Sequence, residues 1–159
     1  MSKVLIKKLN SAVKLPVYKT NGASGMDLMA FIKEPINVKP KTSSLVPTGI
    51  SVAFSEDYEI QIRPRSGLAV KNNISILNTP GTIDSDYRGE IKVIIFNHGD
   101  NDFLISNGDR IAQMILAPVV KIELEETNNL PETIRGEAVS YTHLRAHETD
   151  SYLVCRLLL

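Results

Sequence analysis

Asp84, Ser85, Asp86, Tyr87 and Arg88 place two carboxylates, a phenol and a guanidinium on consecutive residues. A carboxylate can take a proton from water, an aromatic ring can pack on a ligand, and an arginine fork can meet an anion. On a strand, Asp84 and Asp86 would face one side; on a turn, both would be solvated. An acidic hairpin tip explains the run equally well when it is taken alone. A second run, Pro64-Arg65-Ser66-Gly67-Leu68-Ala69, reads as a strand end followed by a helix start, with Ser66 as the expected cap. The free N–H groups and dipole of such an end suit an oxygen-rich ligand. Gly67 would let that ligand approach the backbone, and Arg65 would add charge. A capped helix with a surface arginine remains the plainer reading of that run.

Further segments carry polar groups in apolar surroundings. Gly108-Asp109-Arg110-Ile111-Ala112-Gln113-Met114-Ile115 sets Gln113 within an apolar strand, where an amide must meet backbone groups or reach a ligand. Ala23-Ser24-Gly25-Met26-Asp27-Leu28 is the remaining segment of this set, with Asp27 as its carboxylate.

The elements that must hold these groups follow a period of two. Ile50, Val52 and Phe54 alternate with small or polar residues, as do Tyr58, Ile60 and Ile62. Ile74 and Ile76, then Ile91, Val93 and Ile95, continue the pattern, and a long run extends from Ile111 to Leu124. The turn signals Asn21-Gly22, Pro80-Gly81, His98-Gly99-Asp100 and Asn107-Gly108-Asp109 divide them. Short strands at this spacing predict an all-β sandwich or barrel, with one short helix starting at Ser66 and ending at the Asn72-Asn73 pair.

Composition narrows the partners. With 18 basic and 18 acidic residues and a net charge of +0, the chain has no field to steer it onto nucleic acid or a membrane surface. No apolar run reaches bilayer-spanning length, and a cytoplasmic location is expected. Cys155 is the single cysteine, so neither an intrachain disulfide nor a multi-cysteine zinc site is available.

Together, the blocks containing Asp27, Arg65-Ser66-Gly67, Asn78 to Ile91, and Gln113 resemble, in order and spacing, the first four blocks of the trimeric deoxyuridine triphosphatases. The stretch Ile76-Leu77-Asn78-Thr79-Pro80-Gly81-Thr82-Ile83-Asp84, continuing through Asp86-Tyr87-Arg88-Gly89-Glu90-Ile91, is the most specific part. The resemblance implies a jelly-roll-like β-barrel, a homotrimer with sites at subunit interfaces, and Mg²⁺-dependent hydrolysis of dUTP to dUMP and pyrophosphate. It implies that Asp84 activates the water that attacks the α-phosphorus. Asn78 with the backbone of Thr82, Ile83, Asp84 and Lys92 would bind uracil, and Tyr87 would pack under the deoxyribose. Arg65, Ser66, Gly67, Gln113 and Arg135 would hold the phosphates, with Asp27 either acting on the metal through water or serving as a buried structural carboxylate near the trimer axis. Met26 stands where relatives usually carry an aromatic residue.

The family's fifth block is a glycine-rich tail that Arg135-Gly136-Glu137 begins and Ala138 breaks. From about Val139 the string Ser140-Tyr141-Thr142-His143-Leu144-Arg145-Ala146 resembles a translated sequencing-library adaptor. The expected division is therefore a barrel domain over 1–137 and a loosely packed, non-family tail over 138–159. Deoxycytidine triphosphate deaminase, of the same fold, is the rival enzyme reading. A nucleotide-holding trimer with little turnover, for want of its closing tail, is the rival from another class.

Overall fold

A computed structural model describes residues 3–137 of the chain. The chain divides into two compact units, Met1–Lys121 and Ile122–Leu159. The expected boundary after Glu137 falls at the edge of the described residues, and the adaptor-like tail lies outside them.

The first unit holds every regular element among the described residues. In chain order these are β1 (Leu5–Lys8), β2 (Met26–Met29), β3 (Ile36–Val38), β4 (Ser43–Pro47), β5 (Ile50–Ala53) and β6 (Tyr58–Arg63). They continue with α1 (Ser66–Asn72), β7 (Ile74–Ile76), β8 (Gly81–Ile83), β9 (Lys92–Asn97), β10 (Phe103–Ile105) and β11 (Arg110–Pro118). The strands form the sheets β2-β11-β6-β8 and β4-β9-β7 and the pairs β1-β5 and β10-β3, every pairing antiparallel. This is the expected all-β body with one short helix.

Alternation decides which faces turn inward. In β6, Ile60 and Ile62 are buried and Arg63 is exposed; in β9, Val93, Ile95 and Asn97 point inward. They join Leu28, Val46, Ile50, Ile74, Ile76, Ile91, Ile111 and Met114 in one core cluster, Asn97 excepted. Each such aliphatic chain contributes about 1.5–3 kcal/mol on leaving water. Asn97 keeps its place because its polar atoms are all satisfied. Its Nδ2 donates to the carbonyls of Val38 at 2.9 Å and Asn101 at 2.8 Å, and its Oδ1 accepts from Gly99 N–H at 2.9 Å.

Two local expectations are corrected. The run from Ile111 to Leu124 is a strand only to Pro118, because its neighbour β6 begins at Tyr58, opposite Pro118. Beyond that point Val119 N–H still meets the Asp57 carbonyl at 2.8 Å, but among the described residues no further strand pairs with it, and Val120 is exposed. Ser66 does not cap α1. Arg65 holds the cap position in extended geometry, with no side-chain cap bond, and Ser66 is the first helical residue. The C-terminal end agrees with the sequence: Asn73 adopts φ 55° and its N–H returns to the Ala69 carbonyl at 3.1 Å.

Candidate active site

Strand β8 lies beside β6, pairing Ile83 with Ile60, Thr82 with Gln61 and Gly81 with Ile62. After Ile83 the chain leaves the sheet in a turn closed by Tyr87 N–H to the Asp84 carbonyl at 3.1 Å. Asp84 and Asp86 are therefore turn residues, and both are exposed. Arg88 braces the turn through Nη1, which donates to the carbonyls of Ser85 at 2.6 Å and Tyr87 at 3.0 Å. Tyr87 Oη donates to the Glu90 carbonyl at 3.0 Å, folding the ring back over the return strand. Glu90 in turn accepts Gly49 N–H at 2.8 Å through Oε1, and Lys92 Nζ stands 3.8 Å from its Oε2.

These contacts shape a cleft of about 380 Å³ lined by Leu45, Thr82, Ile83, Asp84, Tyr87, Glu90, Lys92 and Ile94. Its walls combine aliphatic chains and an aromatic ring with a few polar groups, the usual make-up of a small-ligand site. Asp84 also borders a second hollow, of about 650 Å³, with Asp86, Arg88, Glu56 and Lys121. A carboxylate at the junction of two hollows can meet a ligand on one side and water on the other.

A second cluster is built on the opposite end of β6. Gln113 on β11 pairs with Asp27 on β2 and with Arg63 on β6, which sets the three residues in one row across the sheet. Asp27 is only 6% exposed, and an isolated carboxylate there would be costly. Two guanidinium groups offset that cost: Arg65 Nε lies 3.0 Å from Oδ1, and Arg110 Nη1 lies 3.2 Å from Oδ2. Arg65 Nη1 also reaches the Arg110 carbonyl at 3.3 Å. Arg65 is thereby fixed beside the exposed Ser66-Gly67 start of α1.

The dUTPase family model matches residues 11–142 of the chain. The chain belongs to the dUTPase family. A deoxyuridine 5'-triphosphate nucleotidohydrolase from Rickettsia conorii is 53% identical over 137 residues, covering 86% of this chain and 93% of the relative. The enzyme of the same name from Syntrophotalea carbinolica is 51% identical over 134 residues, covering 84% and 91%. Among solved structures, the Staphylococcus bacteriophage 80alpha dUTPase with dUPNHPP superimposes with a TM-score of 0.79 at 22% identity, covering 89% of this chain and 98% of that one. The dUTPase of Staphylococcus aureus phage phi11, whose structure reports coordination of a structural Mg(II) ion, gives a TM-score of 0.73 at 19% identity, covering 82% and 99%. These structural likenesses carry the jelly-roll-like fold.

In this dUTPase chain the expected site residues fall into separate groups. Thr82, Ile83, Asp84, Tyr87 and Lys92 share the smaller cleft. Asn78 is exposed outside its lining, and its carboxamide lies over Gly81, where an added Cβ would stand 3.2 Å from Nδ2. Arg65, Ser66, Gly67, Gln113 and Asp27 gather at the other end of β6. Arg65 follows the far end of β6, roughly 16 Å of extended chain from Ile60, the partner of Ile83. One triphosphate does not span that separation from its α to its γ phosphorus. Arg135 belongs to the second unit, just before Gly136, whose N–H meets the Thr133 carbonyl at 3.1 Å.

Arg110 and Glu90 were not singled out as site residues by the sequence. Both stand inside quoted motifs, but nothing local tells that Arg110 meets Asp27 or that Glu90 meets Gly49. Among the described residues no group of three or more His, Cys, Asp or Glu side chains could hold a metal ion. A divalent ion in this dUTPase would take most of its oxygen donors from elsewhere, and a triphosphate supplies such donors.

Proposed function

We propose that this chain hydrolyses dUTP to dUMP and pyrophosphate, with the nucleoside in the cleft beside Asp84. The chain is a dUTP diphosphatase, an enzyme of nucleotide metabolism; the division of labour among its residues is our reading. The observation that carries it is the presence of Asp84 and Tyr87 on one cleft wall with Thr82, Ile83 and Lys92. Uracil is held by the backbone of Thr82, Ile83, Asp84 and Lys92 and by Asn78, in a slot too tight for a C5 methyl. Tyr87 packs under the sugar, where a 2′-hydroxyl would meet it.

Asp84 accepts a proton from a water as that water's oxygen bonds to the α-phosphorus. The bond from that phosphorus to the bridging oxygen breaks, and pyrophosphate leaves. Arg65, the Ser66-Gly67 amides and Gln113 face the phosphate charge, which they offset without reorganising; the family resemblance assigns Arg135 to the same charge. Mg²⁺, when bound, neutralises triphosphate oxygens. With both Asp27 oxygens already on arginines, that residue's main task is to fix Arg65, and any influence on the ion passes through water.

The separation of Asp84 from Arg65 along β6 supports a homotrimer in which one copy lends its phosphate cradle to another copy's cleft. Cytoplasmic location fits this activity, and no helix among the described residues is long and apolar enough to cross a membrane. The altered residues after Glu137 would weaken closure over the nucleotide, because a closing tail excludes water and orders the phosphates.

Pyrophosphate release from dUTP with Mg²⁺ tests the reading, comparing this chain with one carrying a glycine-rich family tail after Glu137. Release by the restored chain, with UTP and dCTP left largely intact, is the expected result. Ammonia from dCTP, or no release from dUTP by either chain, would overturn it.

A further inference from the structure

We infer that Gly89 is a positioning residue for sugar selection, because its missing side chain is what lets the Tyr87 ring lie against the cleft. An ideal Cβ built on Gly89 would stand 2.3 Å from Tyr87 Oη, 2.5 Å from Cζ and 2.9 Å from Cε2. Real Cβ atoms do not approach heavy atoms so closely, so one partner must move. Gly89 does not have the positive φ that marks Gly49, Gly108 and Gly136, so no left-handed conformation stands against an L-residue there. The tyrosine ring is the part that yields. It is 44% exposed and held at its tip by one hydrogen bond, Oη to the Glu90 carbonyl at 3.0 Å. A methyl group at position 89 would break that bond and swing the ring off the wall it shares with Asp84, Glu90 and Lys92.

A side chain added at Gly89 would therefore act on selectivity more than on stability. Stability should change little, since the displaced group is the end of an exposed side chain. Selectivity should change much, since the displaced group is the one that meets the sugar. The inference rests on the proposed role of Tyr87, and the test separates the two.

Binding of dUpNHpp and of its ribose counterpart is measured by titration calorimetry for the parent chain, Gly89→Ala, Tyr87→Ala and the double variant, with thermal melts alongside. Gly89→Ala is expected to lower the deoxy-over-ribo preference about tenfold, the scale set by one methyl group's misfit. In the Tyr87→Ala background it should change nothing further, as expected when one residue acts only through another. An unchanged preference in Gly89→Ala beside a collapsed one in Tyr87→Ala overturns this inference alone. An unchanged preference in Tyr87→Ala overturns the sugar-gate role and this inference with it. If Gly89→Ala fails to fold while the double variant folds, the conflict still lies at the Tyr87 ring. If both fail, the glycine serves the backbone and the inference is wrong.

Discussion

Arg65 Nε lies 3.0 Å from Asp27 Oδ1, an ion pair that joins the residue before α1 to a buried position on β2. Arg110 closes the other side of the same carboxylate at 3.2 Å. Removing one member of a buried pair leaves an unmatched charge, which costs about 3–5 kcal/mol when burial is complete. Arg110 is half exposed, so Asp27→Asn should cost less, on the order of 2 kcal/mol. Urea denaturation measures that loss. Nucleotide binding adds a second readout: dUpNHpp should bind more weakly while dUMP, which lacks the outer phosphates, binds as before. Equal weakening of both ligands would argue against a role confined to the phosphate end.

Asn97 is the most demanding polar residue of the core, with no exposed surface and three hydrogen bonds to backbone groups. Asn97→Ala would strand the Val38 and Asn101 carbonyls and the Gly99 N–H and would leave a small void. The expected loss is about 3 kcal/mol, from unsatisfied buried groups at about 1–3 kcal/mol each, reduced by whatever water enters. Asn97→Asp should be no better, because a carboxylate cannot donate to the two carbonyls. A denaturation midpoint within error of the parent for either variant would refute this account.

The period-two pattern made the central strands legible: Ile60 and Ile62 on β6 and Val93 and Ile95 on β9 are buried as alternation predicts. It could not reveal β8, a three-residue strand that begins with Gly81 and is specified by its neighbour β6. Alternation extends to Asn97, but it could not show that an amide is satisfied there, since the Val38 carbonyl that accepts from it lies on another strand, far away in the chain. For the site, local chemistry suggested Asp84, Tyr87 and Arg65 as capable groups without saying which share a cleft. The Asp27–Arg110 contact joins residues that lie far apart in the chain and meet only because β2 pairs with β11. The strand expected to run to Leu124 stops at Pro118 for a related reason: apolar residues continue, but the partner strand does not.

Lys121 Nζ meets Glu56 Oε2 at 2.5 Å, and both side chains are largely exposed. The hydrogen bond to Glu56, followed by that residue's charge, raises the ammonium pKa above the usual 10.5. A raised folded-state value means that the contribution is fully present below the unfolded value and is lost as pH rises through the folded one. Stability should therefore show no slope from this group near neutrality and a decline above about pH 10.5. Lys121→Met should remove its share of that alkaline decline and barely move the midpoint at pH 7, since exposed pairs are weak and screened. Denaturation midpoints at pH 7 and pH 11 for both chains decide the matter. An unchanged alkaline slope would exclude the pair as a contributor.

Asp84 is exposed at the end of β8, between the cleft proposed for the nucleoside and the hollow shared with Asp86 and Arg88. Substitution by asparagine keeps the shape of the side chain and its ability to accept a hydrogen bond while removing the base. Positioned general bases contribute roughly 10²–10⁴-fold, so Asp84→Asn should slow pyrophosphate release by about 10³-fold. Affinity for dUpNHpp should stay within a few-fold of the parent, because Thr82, Ile83, Tyr87 and Lys92 still line the cleft. The comparison belongs in the chain with the restored tail, where turnover is high enough for such a loss to be read. Asp86→Asn is the control: Asp86 borders only the outer hollow, and its loss should leave the rate within a few-fold. If the two variants were equally slow, the turn as a whole and not Asp84 would carry the chemistry; if Asp84→Asn turned over normally, the base would have to be sought elsewhere.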